Sequence, residues 1–130
     1  MDKKIINTEH APDPIGPYSQ AVQASGMLFI SGQVALKPGT SELITDNITA
    51  ETTQVMNNLK AILTAAGLEF NHVIKTTIFL KDMNLFTAVN AVYGEFFKAD
   101  FPARETVAVK GLPKDVNVEI SMIAALNKIK

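Results

Sequence analysis

The stretch AETTQVMNNLKAILTAAGLEFNHVIKTTIFL, residues 50–80, decides how the rest of the chain is read. Val55, Leu59, Ile62 and Ala66 recur at helical spacing and share one face, so a helix is predicted over 50–66. Thr49 stands where an N-cap belongs, Glu51 follows in the first turn, and Gly67 occupies the position just past the end. Val73 to Leu80 is β-branched and aromatic and reads as a strand. A helix with one apolar face, followed at once by a strand, needs a sheet to cover.

Outward from this unit the same pattern repeats. A second amphipathic helix is predicted from about Leu85 to Lys98, with Asn84 as its cap and Phe86, Val89, Tyr93, Phe96 and Phe97 as its stripe. Asn90 falls on or beside that stripe. Two strands follow, Arg104 to Lys110 and Val118 to about Leu126, with Pro113 between them. Before the first helix, Gln20–Ala24 and Met27–Ser31 flank Ser25-Gly26 and read as a β-hairpin. Ile5-Ile6 opens an edge strand, and residues 36–47 read as a loop. The order ββ-α-β-α-ββ predicts an α+β sandwich: a mixed sheet with both helices on one face.

Length and composition exclude several classes of function. The chain has 130 residues, enough for one domain spanning 1–130. It contains no cysteine, which removes disulfides, thiolate nucleophiles and Cys-ligated metals. A net charge of −1 offers no general attraction to phosphate backbones or anionic lipid. No apolar run is long enough to span a bilayer, and no targeting signal is evident, so the expected location is cytoplasmic. There is no GxGxxG and no P-loop. His10 and His72 are isolated, so neither paired metal ligands nor a serine triad is indicated.

What remains is a set of polar residues in or beside apolar strands. Arg104 and Thr106 share one face of their strand. Glu119 interrupts a nearly continuous apolar run, where an unpaired carboxylate is costly to bury. Two readings are open: a structural Arg104–Glu119 ion pair or an exposed strand end, or a site in which the two groups, on neighbouring strands, face a shared hollow. In the second, Arg104 offers a planar donor fork to a carboxylate and Glu119 serves as general acid or base. Tyr18, Ser31 and Asn90 would add hydrogen bonds. The three prolines of residues 11–18 either form an ordinary turn or hold Tyr18 in place.

At these residues the chain resembles the RidA/YjgF family of reactive enamine/imine deaminases. The resemblance is carried by Phe101-Pro102-Ala103-Arg104-Glu105-Thr106 through Pro113, Val118-Glu119-Ile120, Ile15-Gly16-Pro17-Tyr18, Ile30-Ser31-Gly32-Gln33 and Val89-Asn90-Ala91-Val92-Tyr93. It implies a chorismate-mutase-like fold and a homotrimer with clefts between subunits. It also implies hydrolysis of 2-imino acids, such as 2-iminobutanoate and 2-iminopropanoate, to 2-keto acids and ammonia without a cofactor or metal. Under it, Arg104 is the carboxylate-binding arginine and Glu119 the glutamate that activates water. Tyr18, Ser31, Gly32, Asn90 and Thr106 bind substrate.

Three departures from the family pattern stand out. Thr106 replaces a frequent cysteine, Glu105 replaces a small residue, and Lys98-Ala99-Asp100 is short, which bears on the rim of the cleft. The alternative function is a non-catalytic regulatory module that binds small carboxylates. A third, RNA cleavage, is opposed by the neutral charge and the lack of a basic stripe.

Overall fold

The computed structural model describes residues 2–126; the remaining ends of the expected 1–130 domain lie outside the described residues. Six strands and two helices follow in the order β1 (Lys4–Ile6), β2 (Ala21–Ala24), β3 (Met27–Gln33), α1 (Ile48–Ala65), β4 (Val73–Leu80), α2 (Phe86–Gly94), β5 (Ala103–Ala108) and β6 (Val118–Ala125). The strands form one mixed sheet in the order β1-β2-β3-β6-β4-β5, parallel only between β4 and β5. The helices cover one face, and the expected α+β fold class is the one observed.

Local chemistry sets the ends of α1. Asn47, with an extended φ of −156°, accepts a bond from the Ala50 amide at 2.8 Å and is the N-cap. Thr49, expected in that role, already lies inside the helix. At the other end the Gly67 amide donates to Thr64 and the Leu68 amide to Leu63, with Gly67 at φ +75°. This is a Schellman closure, which a residue bearing a Cβ would strain. Val55, Met56, Leu59, Ile62 and Leu63 are buried against the sheet.

The second helix is shorter than the stripe suggests. Asp82 caps a 3₁₀ turn at Met83–Leu85 by accepting from the Asn84 amide, and α2 begins after it. Beyond Gly94 the amides of Glu95, Phe96 and Phe97 bond three residues back instead of four. The aromatic stripe therefore continues as a tightened turn, with Phe70 packed edge-on against both Phe96 and Phe97.

The last two strands, expected to be neighbours, have β4 between them. β5 pairs with β4 through the α2 crossover, the usual geometry for parallel strands. β6 is inserted between β3 and β4, where Val118, Ile120, Met122 and Ala124 bury fully under the helices. The opposite face of the sheet carries no helix. It exposes Ile5, Met27, Phe29 and Val107, together with a Lys75–Glu105 ion pair at 3.1 Å.

Candidate functional site

The register fixes which way each candidate side chain points. Arg104 stands beside Thr76, and Thr76 beside Met122, both buried under the helices. Glu119 stands beside Phe79, and Phe79 beside Val107, on the helix-free face. Arg104 and Glu119 therefore lie on opposite faces, with a strand between them, and within one chain they share no hollow. The expectation of neighbouring strands facing one cavity is corrected here, and so is the alternative of an internal ion pair. Neither group takes part in an ion pair with another described residue.

Each group instead lines its own hollow. The Glu119 hollow has a volume of about 370 Å³ and gathers Tyr18, Ser31, Gly32 and Lys114 around the carboxylate. The Arg104 hollow, about 500 Å³, is formed with Asn90, Tyr93, Phe101 and Pro102. Six of the seven residues singled out in the sequence thus divide between two places: Tyr18, Ser31 and Gly32 with Glu119, and Asn90 with Arg104. Thr106 lines neither. It follows Arg104 on the same face of β5, and its Oγ1 is buried without a hydrogen-bond partner among the described residues.

A bulge builds the Glu119 hollow. Ile30 faces Met122 across the β3–β6 ladder, yet Gln33 faces Ile120, so β3 holds one residue more than its partner. Such a bulge re-aims side chains next to it. Ser31 donates through Oγ to the Ser19 carbonyl at 2.6 Å, and its amide donates to the Gln20 carbonyl at 2.9 Å. Gly32 lies where the Glu119 carboxylate passes over the backbone, in the space a Cβ would fill. The glycine is required here by close approach and not by a left-handed φ. Glu119 is half-buried, and burial raises its carboxyl above the ordinary 4.5 with no partner to offset the shift.

Buried polar groups that the sequence reading did not single out hold this hollow in shape. Gln20 accepts from the Thr8 amide at 2.8 Å and donates to the carbonyls of Thr8, Ala11 and Pro12. It thereby pins the proline segment that carries Tyr18. Glu51, fully buried in α1, accepts from the Asn117 amide at 2.8 Å, the Asn117 side chain at 2.7 Å and the Val118 amide at 3.3 Å. It thereby fixes the start of β6, one residue before Glu119. Lys114 and Asp115 both have left-handed φ, at 56° and 55°, and Asp115 is tied to Lys81 at 3.0 Å. That turn brings Lys114 to the hollow.

Arg104 is held differently. Its Nη1 donates to Asn90 Oδ1 at 2.8 Å, and its guanidinium carbon lies 5.0 Å from the Tyr93 ring centre and 5.6 Å from that of Phe86. The Tyr93 hydroxyl shares a 2.8 Å bond with Thr76 Oγ1. Burial pushes the Tyr93 phenol up, against the opposing pull of Thr76 and Arg104, so the ring stays neutral at working pH. Among the described residues no group of three or more His, Asp or Glu gathers in a way that would hold a metal ion. No helix among them is long and apolar enough to cross a membrane.

A carboxylate of raised pKa beside a hydroxyl-lined hollow has the chemistry of an acid–base group, and an arginine with uncommitted N–H donors has that of a carboxylate binder. The family model described as Endoribonuclease L-PSP matches residues 8–126, and the chain belongs to that family, which includes the RidA, YjgF and RutC proteins. A RutC family protein of Pyrococcus horikoshii is 53% identical over 122 residues, covering 94% of this chain and 97% of that protein. The 2-iminobutanoate/2-iminopropanoate deaminase of Dermatophagoides farinae is 45% identical over 124 residues, covering 95% and 97%. E. coli TdcF, solved with bound serine, superposes with a TM-score of 0.89 at 43% identity, covering 94% of this chain and 98% of that one.

Proposed function

We propose that this protein is a hydrolytic deaminase of 2-imino acids, releasing 2-keto acids and ammonia. In this reading it works as a homotrimer in which the Arg104 hollow of one copy meets the Glu119 hollow of the next. The observation that carries it is the unpaired, half-buried Glu119 carboxyl lying over Gly32. A carboxyl held closer to neutrality than usual is suited both to taking and to returning a proton. The similar mite deaminase supports the reaction class, and the serine held by TdcF supports a small ligand that bears a carboxylate. Nuclease chemistry finds less support: His10 is exposed, and His72 is engaged as acceptor of the Glu69 amide.

The reaction follows from the residue types. Arg104 binds the substrate carboxylate, with Asn90 steadying the guanidinium, and so fixes which carbon is presented. Water attacks the imine carbon while Glu119 accepts its proton, giving a carbinolamine. Glu119 then returns that proton to the nitrogen, and ammonia leaves as the C–N bond breaks, the carbonyl forms and the hydroxyl proton passes to the freed Glu119 carboxylate and on to solvent. Positioned acid–base catalysis contributes roughly 10²- to 10⁴-fold, sufficient for an electrophile that hydrolyses readily unaided.

The test generates 2-iminopropanoate or 2-iminobutanoate in situ with an amino-acid oxidase and follows keto-acid release. Wild type is expected to accelerate release, and Arg104→Ala to abolish the acceleration while remaining folded. Wild-type rates in Arg104→Ala refute the assignment of that residue. Absence of acceleration by wild type, with pyruvate still bound, favours the carboxylate-binding module instead.

A further inference from the structure

Phe86, Asn90 and Tyr93 sit at helical positions i, i+4 and i+7, and together they close one face of α2 over Arg104. The two rings lie within cation–π range of the guanidinium. Asn90 takes one of its five N–H donors, and no other side-chain bond of Arg104 is formed with the described residues. Tyr93 is itself fixed by Thr76, the residue in register with Arg104 on the adjoining strand, and by Phe97 at 4.8 Å. Phe86 is only partly buried: it packs against the edge of the core and also lies beside the guanidinium.

The geometry points to Phe86 and Tyr93 as positioning residues that clamp the Arg104 guanidinium between aromatic rings, so that its uncommitted N–H edge is presented to a ligand carboxylate in one orientation. The inference rests on the reading of Arg104 as the carboxylate holder. A free arginine loses rotamer freedom when it binds an anion in the bidentate manner; a clamped one has lost it already. The rings act on ligand affinity through Arg104 and touch neither water nor the imine carbon. Their removal therefore raises KM and leaves kcat in place.

The experiment titrates pyruvate, a stable carboxylate probe, into wild type, Phe86→Leu, Phe86→Tyr, Tyr93→Phe and Tyr93→Leu by calorimetry. Tm is recorded for each, and KM and kcat with 2-iminopropanoate. Phe86→Leu is expected to weaken pyruvate binding and raise KM by about three- to tenfold, the range for a partly desolvated cation–π contact, with Tm and kcat near wild type. Phe86→Tyr restores affinity because the ring returns. Tyr93→Phe keeps its ring and holds affinity within about twofold, although Tm falls as the Thr76 hydroxyl loses its partner.

Unchanged pyruvate affinity in Phe86→Leu overturns the clamp, as does a fall in affinity, kcat and Tm together, which marks simple packing. Failure of wild type to bind pyruvate overturns it too. If wild type binds pyruvate but hydrolyses no imine, and Phe86→Leu still weakens binding, the clamp stands and the deaminase reading falls.

Discussion

The absent Cβ of Gly32 is what leaves room for Glu119. With Ala at 32, the new methyl meets the carboxylate, with the Glu119 Cδ at 2.9 Å and Cγ at 3.1 Å. These atoms belong to a flexible side chain, so relief comes by swinging Glu119 away and not by opening the sheet. Gly32→Ala is therefore expected to keep a near-wild-type Tm and to lose about a hundredfold or more in kcat/KM, measured in the oxidase-coupled assay. Glu119→Gln tests the same group from the side of stability. Because the folded protein holds the Glu119 proton more tightly than the unfolded chain does, stability falls as pH rises from the ordinary 4.5 through the raised value. Glu119→Gln is thus expected to melt above wild type at neutral pH, with the gap closing in acid, while kcat drops by about 10²- to 10⁴-fold. Wild-type kcat/KM should fall toward acid with a midpoint above 4.5. The sequence marked Glu119 as anomalous through its apolar neighbours. It did not contain the reason Gly32 is needed, because that reason is a contact between two strands.

Among the elements, β6 owes its position to α1. Glu51 lies four residues before Val55, on the stripe that the helix buries, and a carboxylate there needs donors. That signal was present in the spacing, yet the partners at Asn117 and Val118 are 66 and 67 residues away and could not be read from it. Glu51→Gln turns one acceptor oxygen toward the Asn117 amide group into a second donor. It should cost about 1–3 kcal/mol in a urea melt. The regular elements themselves were largely legible. Period and turn chemistry placed β4 over Val73–Leu80 and the β2–β3 hairpin, whose Ser25 and Gly26 have φ of 52° and 76°, as a type I′ turn requires. The ends of α2 were not legible, because a 3₁₀ turn continues the aromatic periodicity past the last helical bond.

At the scale of the molecule, strand order sets the Arg104 and Glu119 hollows apart. Nothing in the local pattern of β5 or β6 says that β4 runs between them, since both read as closing strands of a sheet. If the two hollows meet between copies, two inactive proteins can repair each other. Arg104→Ala and Glu119→Gln, unfolded together and reassembled, are expected to regain part of the wild-type rate, because some junctions then pair an intact Arg104 with an intact Glu119. Either protein reassembled alone should stay inactive, and a mixture no better than its parts would refute a site shared between copies. The proline wall adds a constraint of another kind. Gln20 ties that wall to Thr8, Ala11 and Pro12 before any guest arrives. Under the proposed reaction this wall would not have to fold over an incoming molecule, so a compound that survives only briefly in water would meet a wall already set.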